Sequence, residues 1–385
     1  MSISRVWTEN PVRRWAQASK ATDRVRLLSR AVEQTADSVV ITDTDGVIQY
    51  VNSAFEATTG YSRSEALGKT PNLLKSGQHD AGFYQELWAR IFQGKTFRGT
   101  LVNRKKDGTL YWAEQTISAM RDDSGIITHF VAVLKDITEL RKREEHEAQA
   151  RLAREVQQSL YPTTVLLPGV DVAAVCEPTY DTGGDYVDFI PGPDGSVYVG
   201  IGDVSGHGSG AALIMALTRA YVRSLAAMNL GVDEILARTN QLLGSDLGDG
   251  RFVTVLLLRI DIRGQSLSYA SAGHVPGFVV GSSGEVEAKL ESSGMPLGLF
   301  SDLQFLTTTL RVTPQATILL LTDGVTEMPG SDGSEMGVER VLKFVRSRRN
   351  QDARQIAEGV CRTAKKFAGG AGQRDDITAI VVKMT

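Results

Sequence analysis

Between Glu139 and Leu160 the chain carries neither glycine nor proline, and strong helix formers fill most of its positions. That composition dictates one continuous helix, and a helix of that length in mid-chain sets the N-terminal residues apart from the C-terminal ones. A chain of 385 residues also exceeds what one hydrophobic core usually organises. Two domains joined by a helical connector are therefore expected. Ala148, Leu152, Val156 and Leu160 form an apolar stripe toward the end of the connector, while its middle is too charged for a clean heptad seam. Pairing with the same helix of a second copy and a solvated connector both stay open. Pro162 and Pro168 then open the second domain. The expected division is a segment 1–24, a domain 25–138, the connector 139–160 and a domain 161–385.

Hydrophobic residues make up 42% of the chain and charged residues 23%, the composition of an ordinary globular protein. Lys and Arg number 42 against 45 Asp and Glu, so net charge gives no reason to expect nucleic acid or an anionic membrane as partner. The two cysteines, Cys176 and Cys361, match no zinc spacing and cannot staple a chain of this size. The first residues lack the apolar run of a signal peptide, and no stretch approaches the roughly 20 apolar residues of a membrane helix. A soluble, cytoplasmic protein is expected.

Ahead of the connector, Ala21–Gln34 reads as an amphipathic helix with Val25, Leu28, Ala31 and Val32 on one face. Two β-rich runs between Ser38 and Asn52 flank Asp45-Gly46, a strong hairpin signal. Short helical material comes next, to about Gly68, then a helix over about Phe83–Phe92. Strands are expected over Phe97–Arg104, Thr109–Met120 and Ile126–Ile137, separated by Lys106-Asp-Gly108 and Asp122-Asp-Ser-Gly125 turns. This is a compact α+β module. Asp43-Thr-Asp-Gly-Val-Ile-Gln-Tyr-Val-Asn52, Phe55, Thr59-Gly-Tyr61, Glu65, Leu67-Gly68, Arg104-Lys-Lys-Asp-Gly-Thr109 and Asp136-Ile-Thr138 give it a close resemblance to a PAS sensor domain, an antiparallel sheet with short helices. The resemblance implies a regulatory module with a ligand or none. Flavin photoreceptors of that family place a reactive cysteine after the position of Gly68, and this domain has no cysteine. His79 is a candidate haem ligand, although a loop histidine is more often solvated. Trp88 and Trp112 are candidates for lining a flavin or other aromatic ligand, against the commoner use in core packing.

The second half holds four acidic signatures, each at a strand end or turn: Gly183-Gly-Asp-Tyr-Val-Asp188, Gly202-Asp-Val-Ser-Gly-His-Gly208, Thr322-Asp-Gly-Val-Thr-Glu327 and Arg374-Asp-Asp-Ile-Thr378. One such aspartate is usually a turn former or a cap. Four, each abutting an apolar strand, point to a converging cluster that needs cations among its oxygens. Hard oxygen ligands select Mg²⁺ or Mn²⁺ over zinc.

Taken with Ala153-Arg-Glu-Val-Gln-Gln-Ser-Leu160, Ser271-Ala-Gly-His274 and Pro296-Leu-Gly298, these signatures resemble the metal-dependent (PPM, type 2C) serine/threonine protein phosphatases of the SpoIIE/RsbU-like branch. The resemblance implies an αββα sandwich and two ions. Asp203 bridges them, the Val204 carbonyl touches one, Asp185 completes the first site, and Asp323 with Asp375 completes the second. Asp203 and Asp185 carry catalysis through the metals, by in-line attack of activated water on phosphorus without a covalent phosphoenzyme. Asp188 and Asp376 are expected behind the ligands, and His207 is expected to shape its loop. The helices over Ala211–Ala227 and Val232–Leu243 are candidates for coupling the sensor to metal occupancy. The implied substrate is a phosphoserine on a STAS-type anti-sigma factor antagonist, and homodimerisation through the PAS domain and connector is favoured.

Other readings of the same residues fare worse. A diguanylate cyclase has Glu-Phe after Gly-Gly-Asp, where this chain has Tyr186-Val187, and would leave Asp323 and Asp375 unexplained. Ile41-Thr-Asp-Thr-Asp-Gly-Val47 resembles a haloacid-dehalogenase nucleophile motif, but no parallel βαβ pattern succeeds it. His146 suggests a histidine kinase, yet no ATP-lid glycines come after it. A non-catalytic scaffold on a phosphatase-like fold remains the alternative from another class.

Overall fold

A computed structural model describes residues 23–162, 164–167, 169–247, 250–263, 265–369 and 372–385, with the side chains of 164–167 left out. The expected N-terminal segment up to residue 22, and Pro168, lie outside the described residues. The chain divides into two compact units, one ending at His146 and the other beginning at Glu147.

The first unit runs α1 (residues 23–33), β1 (Ser38–Asp43), β2 (Ile48–Val51), α2 (Ser53–Thr59), α3 (Arg63–Ala66), a 3-10 turn over Pro71–Leu74, α4 (Ala81–Phe92), β3 (Phe97–Arg104), β4 (Leu110–Arg121) and β5 (Ile127–Asp136). The strands form one antiparallel sheet in the order β2-β1-β5-β4-β3. Its first hairpin turns at Asp45-Gly46: the Asp43 carboxylate accepts from the Asp45 and Val47 amides, and Gly46 takes φ +78°. A side chain at Gly46 would also meet Trp88 at 2.9 Å, so backbone conformation and packing both require glycine there. Asn52, wholly buried, caps α2 by accepting from the Phe55 amide, and it donates to the Val32 and Asp37 carbonyls. The apolar stripe expected on α1 is not buried: Val25 and Leu28 are exposed, and only the end of the helix is fastened, through Glu33 to Tyr50 and Arg63.

The connector is the helix α5 (Thr138–Leu160). The second unit continues with β6 (Thr164–Leu167), β7 (Val170–Glu177), β8 (Tyr186–Pro191), β9 (Val197–Val204), α6 (Ser209–Ala226), α7 (Val232–Asp246), β10 (Val253–Asp261), β11 (Ser266–Ala272), β12 (Gly277–Val280), β13 (Val286–Leu290), β14 (Thr308–Arg311), β15 (Thr317–Leu321), α8 (Asp323–Thr326), α9 (Val338–Ser347), α10 (Ala353–Ala368) and β16 (Ile377–Met384). Two antiparallel sheets result, β14-β11-β10-β9-β8 and β13-β12-β15-β16-β7-β6.

The alternation of side chains along each strand builds the layers. Val199 and Ile201 of β9 meet Ile380 and Val382 of β16 in a core between the sheets. Tyr198 on the opposite face of β9 packs with Met215 of α6 and Ile235 and Leu236 of α7. Ala379 and Val381 pack with Ile356 and Val360 of α10 and Val341 of α9. The order is helix, sheet, sheet, helix. Strands buried on both faces read as unbroken apolar runs, as Thr-Ile-Leu-Leu-Leu321 does.

Candidate metal centre

The expected ligands come two from each sheet. Asp185 immediately precedes β8 and Asp203 lies near the end of β9, its hydrogen-bonded neighbour. Asp323 opens α8 directly after β15, and Asp375 sits just before β16, paired to β15. The sandwich thus brings four sequence-distant carboxylates to one end.

Glycine makes the approach possible. A Cβ on Gly184 would stand 2.8 Å from the Val204 carbonyl oxygen and 3.2 Å from Asp203 Oδ1, so only glycine allows the Asp185 loop to lie against those two groups. A Cβ on Gly324 would meet the Asp376 carbonyl at 2.0 Å. Asp376 pins the glycine pair by accepting from the Gly184 amide at 2.8 Å and the Thr179 amide at 2.7 Å. The Thr322 hydroxyl donates to Asp185 Oδ2 at 3.1 Å, tying the β15 end to the β8 side.

These carboxylates disturb one another. Burial, then the charges of Asp323, Asp375 and Asp376, pushes Asp203 up to about 7. Burial, then Asp203 and Asp376, raises Asp185 well above the usual carboxylate range. Asp323 is raised by burial and then by Asp375. Crowded, desolvated anions of this kind call for a cation.

The donors are all hard oxygens, and the glycine-lined approach leaves the Val204 carbonyl and the Asp203 carboxylate side by side, so the residues present fit a divalent oxophilic ion. No group of three His, Cys, Asp or Glu side chains among the described residues encloses an ion unaided. Mg²⁺ is commonly held through one or two carboxylates, with water completing its shell. A cavity of about 240 Å³ opens beside Asp323 and Asp375, and Arg374 is the one cationic side chain in its described lining.

Asp188 does not join the cluster. Three residues from Asp185, it faces α6 instead, where Arg223 Nε and Nη2 donate to it at 2.6 and 2.8 Å and Arg219 stands at 3.6 Å. His207 is exposed in its loop and stacks on Tyr180, with ring centroids 4.7 Å apart. Sequence reasoning missed Gln157. On a helix dominated by charge it is 4% exposed, donating to the Gly183 carbonyl at 2.6 Å and accepting from the Gly183 amide at 3.0 Å. Tyr161 adds a bond from its hydroxyl to the Asp185 carbonyl, 2.9 Å. A buried polar residue on a polar helix leaves no periodicity signal.

In the first unit a cavity of about 210 Å³ is lined by Ile48, Phe55, Leu74, Trp88 and Phe130 among others. Thr42 and Gln115, 5% and 9% exposed, also line it and have no side-chain hydrogen-bond partner among the described residues. Trp112 is not part of that lining; it lies under the Arg141 guanidinium at 4.0 Å. His79 stays outside it as well, accepting from the Val102 amide through Nε2 and stacking on Phe83.

Comparison with known proteins places both halves. The profile of stage II sporulation protein E (SpoIIE) matches residues 193–385, and that of the PAS fold matches residues 26–137. The phosphoserine phosphatase RsbU of Bacillus subtilis is 26% identical over 244 residues, covering 63% of this chain and 71% of RsbU. A nitrogen fixation regulatory protein of Klebsiella oxytoca is 36% identical over 107 residues, 28% of this chain and only 22% of that protein. Among solved structures, the SiaA-PP2C domain of Pseudomonas aeruginosa superposes with a TM-score of 0.55 at 23% identity, covering 63% of this chain and 99% of that domain, a likeness of fold. No helix among the described residues is long and apolar enough to cross a membrane.

Proposed function

The chain belongs to the SpoIIE family, with a PAS fold ahead of the matched segment, and from that premise we propose that it is a PAS-regulated, metal-dependent phosphoserine/phosphothreonine protein phosphatase. The observation that carries the reading is the meeting of Asp185, Asp203, Asp323 and Asp375 at one end of the two sheets. Asp203 and the Val204 carbonyl, with Asp185, would hold one ion, and Asp203 with Asp323 and Asp375 the other. A bound pair of Mn²⁺ or Mg²⁺ ions supplies Lewis acidity toward the phosphoryl oxygens and lowers the pKa of water.

The chain's own part is orientation. Asp376 and Gln157 hold the Gly183-Gly184 loop from two sides, Thr322 fixes the Asp185 carboxylate, and Arg374 at the cavity mouth can meet a phosphoryl oxygen. The resemblance names the substrate as a phosphoserine on a STAS-type anti-sigma factor antagonist. Exposed Leu152 and Val156 on α5 support self-pairing of the connector. Hydrolysis of p-nitrophenyl phosphate is expected to require Mn²⁺ or Mg²⁺ and to stop in EDTA. A phosphorylated STAS protein is expected to be turned over with a far higher kcat/KM. Metal-independent hydrolysis would overturn the reading.

The apolar walls of the sensor cavity, with Thr42, Asn103 and Gln115 among its polar groups, support a flat ring with an amide-like edge, of the flavin kind. Thr42 and Gln115 offer hydrogen-bonding groups to such an edge, and the cavity exceeds the roughly 150 Å³ that takes up benzene. For a haem iron the described lining offers no His, Cys or Met and a single tyrosine, Tyr84. Reconstitution with FAD or FMN is expected to give a protein-bound flavin spectrum that Gln115→Leu weakens about tenfold or more in affinity, the effect of one to two kcal/mol. Flavin binding unaffected by that change would remove Gln115 from the site.

A further inference from the structure

Ser271-Ala-Gly-His274 and Pro296-Leu-Gly298 supply no carboxylate to the cluster, yet they pack on one another. Gly273 turns with φ +68°, and a Cβ there would lie 2.5 Å from Pro296. Leu297 in turn exchanges two backbone hydrogen bonds with Val253, at 2.8 and 2.9 Å. Pro296 is thereby seated beside β10, and Gly273 makes a turn no larger residue could make, carrying the chain off β11 and into His274.

His274 is 4% exposed and uses both ring nitrogens. Nε2 stands 3.1 Å from the Leu321 carbonyl and Nδ1 2.9 Å from Thr254 Oγ1. A carbonyl can only accept, so Nε2 carries the hydrogen and Nδ1 accepts from the threonine hydroxyl. Thr254 Oγ1 accepts in turn from the Asp203 amide at 3.2 Å. Leu321 ends β15, two residues before Asp323. One hydrogen-bonded chain therefore runs from the backbone of Asp203, in one sheet, through Thr254 and His274 to the strand end that carries Asp323 in the other. Burial holds the imidazole down to about 4, which keeps it in the neutral form that this pattern of donors requires.

We propose that His274 is a positioning residue, a strut between the sheets that sets the separation of Asp203 and Asp323 and with it the affinity of the site for its ions. The proposal rests on the two-metal reading above. Loss of a hydrogen bond behind a ligand typically weakens metal binding about 10- to 100-fold.

The test compares wild type, His274→Phe, His274→Gln and Thr254→Val in the full chain, measuring the Mn²⁺ concentration for half-maximal p-nitrophenyl phosphate hydrolysis, KM at saturating Mn²⁺, and thermal stability. His274→Phe and Thr254→Val are each expected to raise the Mn²⁺ requirement about tenfold or more and to leave KM within about twofold. The double variant should be no worse than the worse single one, because the strut acts as one unit. His274→Gln, able to donate and accept at once, should recover part of the affinity. Should His274→Phe fail to fold, the near-isosteric Thr254→Val carries the test alone. An unchanged Mn²⁺ requirement in an active enzyme, even with lowered stability, would overturn the strut. A wild type that neither binds Mn²⁺ by calorimetry nor hydrolyses with it would overturn the metal reading, a result distinct from the first.

Discussion

Asp203→Asn is expected to abolish turnover while making the metal-free protein more stable. The proposed shared ligand would be lost, and with it several kcal/mol of charge stabilisation at the phosphoryl group, so kcat/KM should fall by about 10³-fold or more. The stability change runs the other way. In the folded chain Asp203 is raised from 3.8 to about 7, by burial first and then by Asp323, Asp375 and Asp376. A carboxyl group with a folded pKa above its unfolded one costs nothing below pH 3.8. Its cost grows as the pH rises through that window and is complete above about 7. Allowing for the partial exposure of the group, the penalty at pH 8 is about 2–3 kcal/mol. Denaturant melts in EDTA should therefore show the variant more stable than wild type at pH 8, with the gap closing toward pH 4. Saturating Mn²⁺ should reverse the order, since two ions, each at about a hundred times its Kd, together add about 5 kcal/mol to the protein that binds them. A variant less stable than wild type in EDTA at every pH would mean that the carboxylates do not repel one another.

The second large effect concerns Asp188 and α6. Asp188 is wholly buried, whereas the side chain of its bidentate partner Arg223 is 40% exposed. The two partners are therefore unequal. Arg223→Ala strands a carboxylate that cannot reach water, with Arg219 at 3.6 Å as its remaining cation, and should cost about 3–5 kcal/mol. Asp188→Asn leaves Arg223, 40% exposed, able to swing outward, while the more buried Arg219 still faces an amide oxygen, and should cost about 1–2 kcal/mol. Pairing the two changes should restore much of the loss, because no buried charge is left alone. In thermal unfolding of the full chain, the transition of the second unit should drop by about 10 °C for Arg223→Ala. Equal effects from the two single variants would overturn the asymmetry.

Much of this was legible in the sequence because its signals are local. The hairpin at Asp45-Gly46, the strand over Phe97–Arg104 and the apolar run into Thr322-Asp323 each declare themselves within a dozen residues, through turn chemistry and side-chain period. The four acidic signatures could be placed at strand ends in the same way. What could not be read were bonds between segments far apart in the chain. Asp376 clamping Gly184, Thr322 reaching Asp185, and His274 joining Thr254 to Leu321 depend on how the two sheets face each other, and no local pattern encodes that. Asp188 shows the limit from the other side: the family resemblance implied a place behind the ligands, but three steps along an extended chain reverse the direction of a side chain. On α1 the periodicity of Val25 and Leu28 marked a helix correctly, yet periodicity alone does not say that a face is covered.

The division of the proposed ligands between two sheets bears on when such a centre would come into being. Asp185 and Asp203 are synthesised well before Asp375, and Asp376, which pins the Asp185 loop, comes directly after Asp375. A growing chain that has completed β8 and β9 owns half a site and cannot use it, because the other half waits for β16 to pair with β15 and for the sheets to close. On the proposed reading, ion capture would be a late event in maturation, and an unfinished phosphatase half would have no hydrolytic centre.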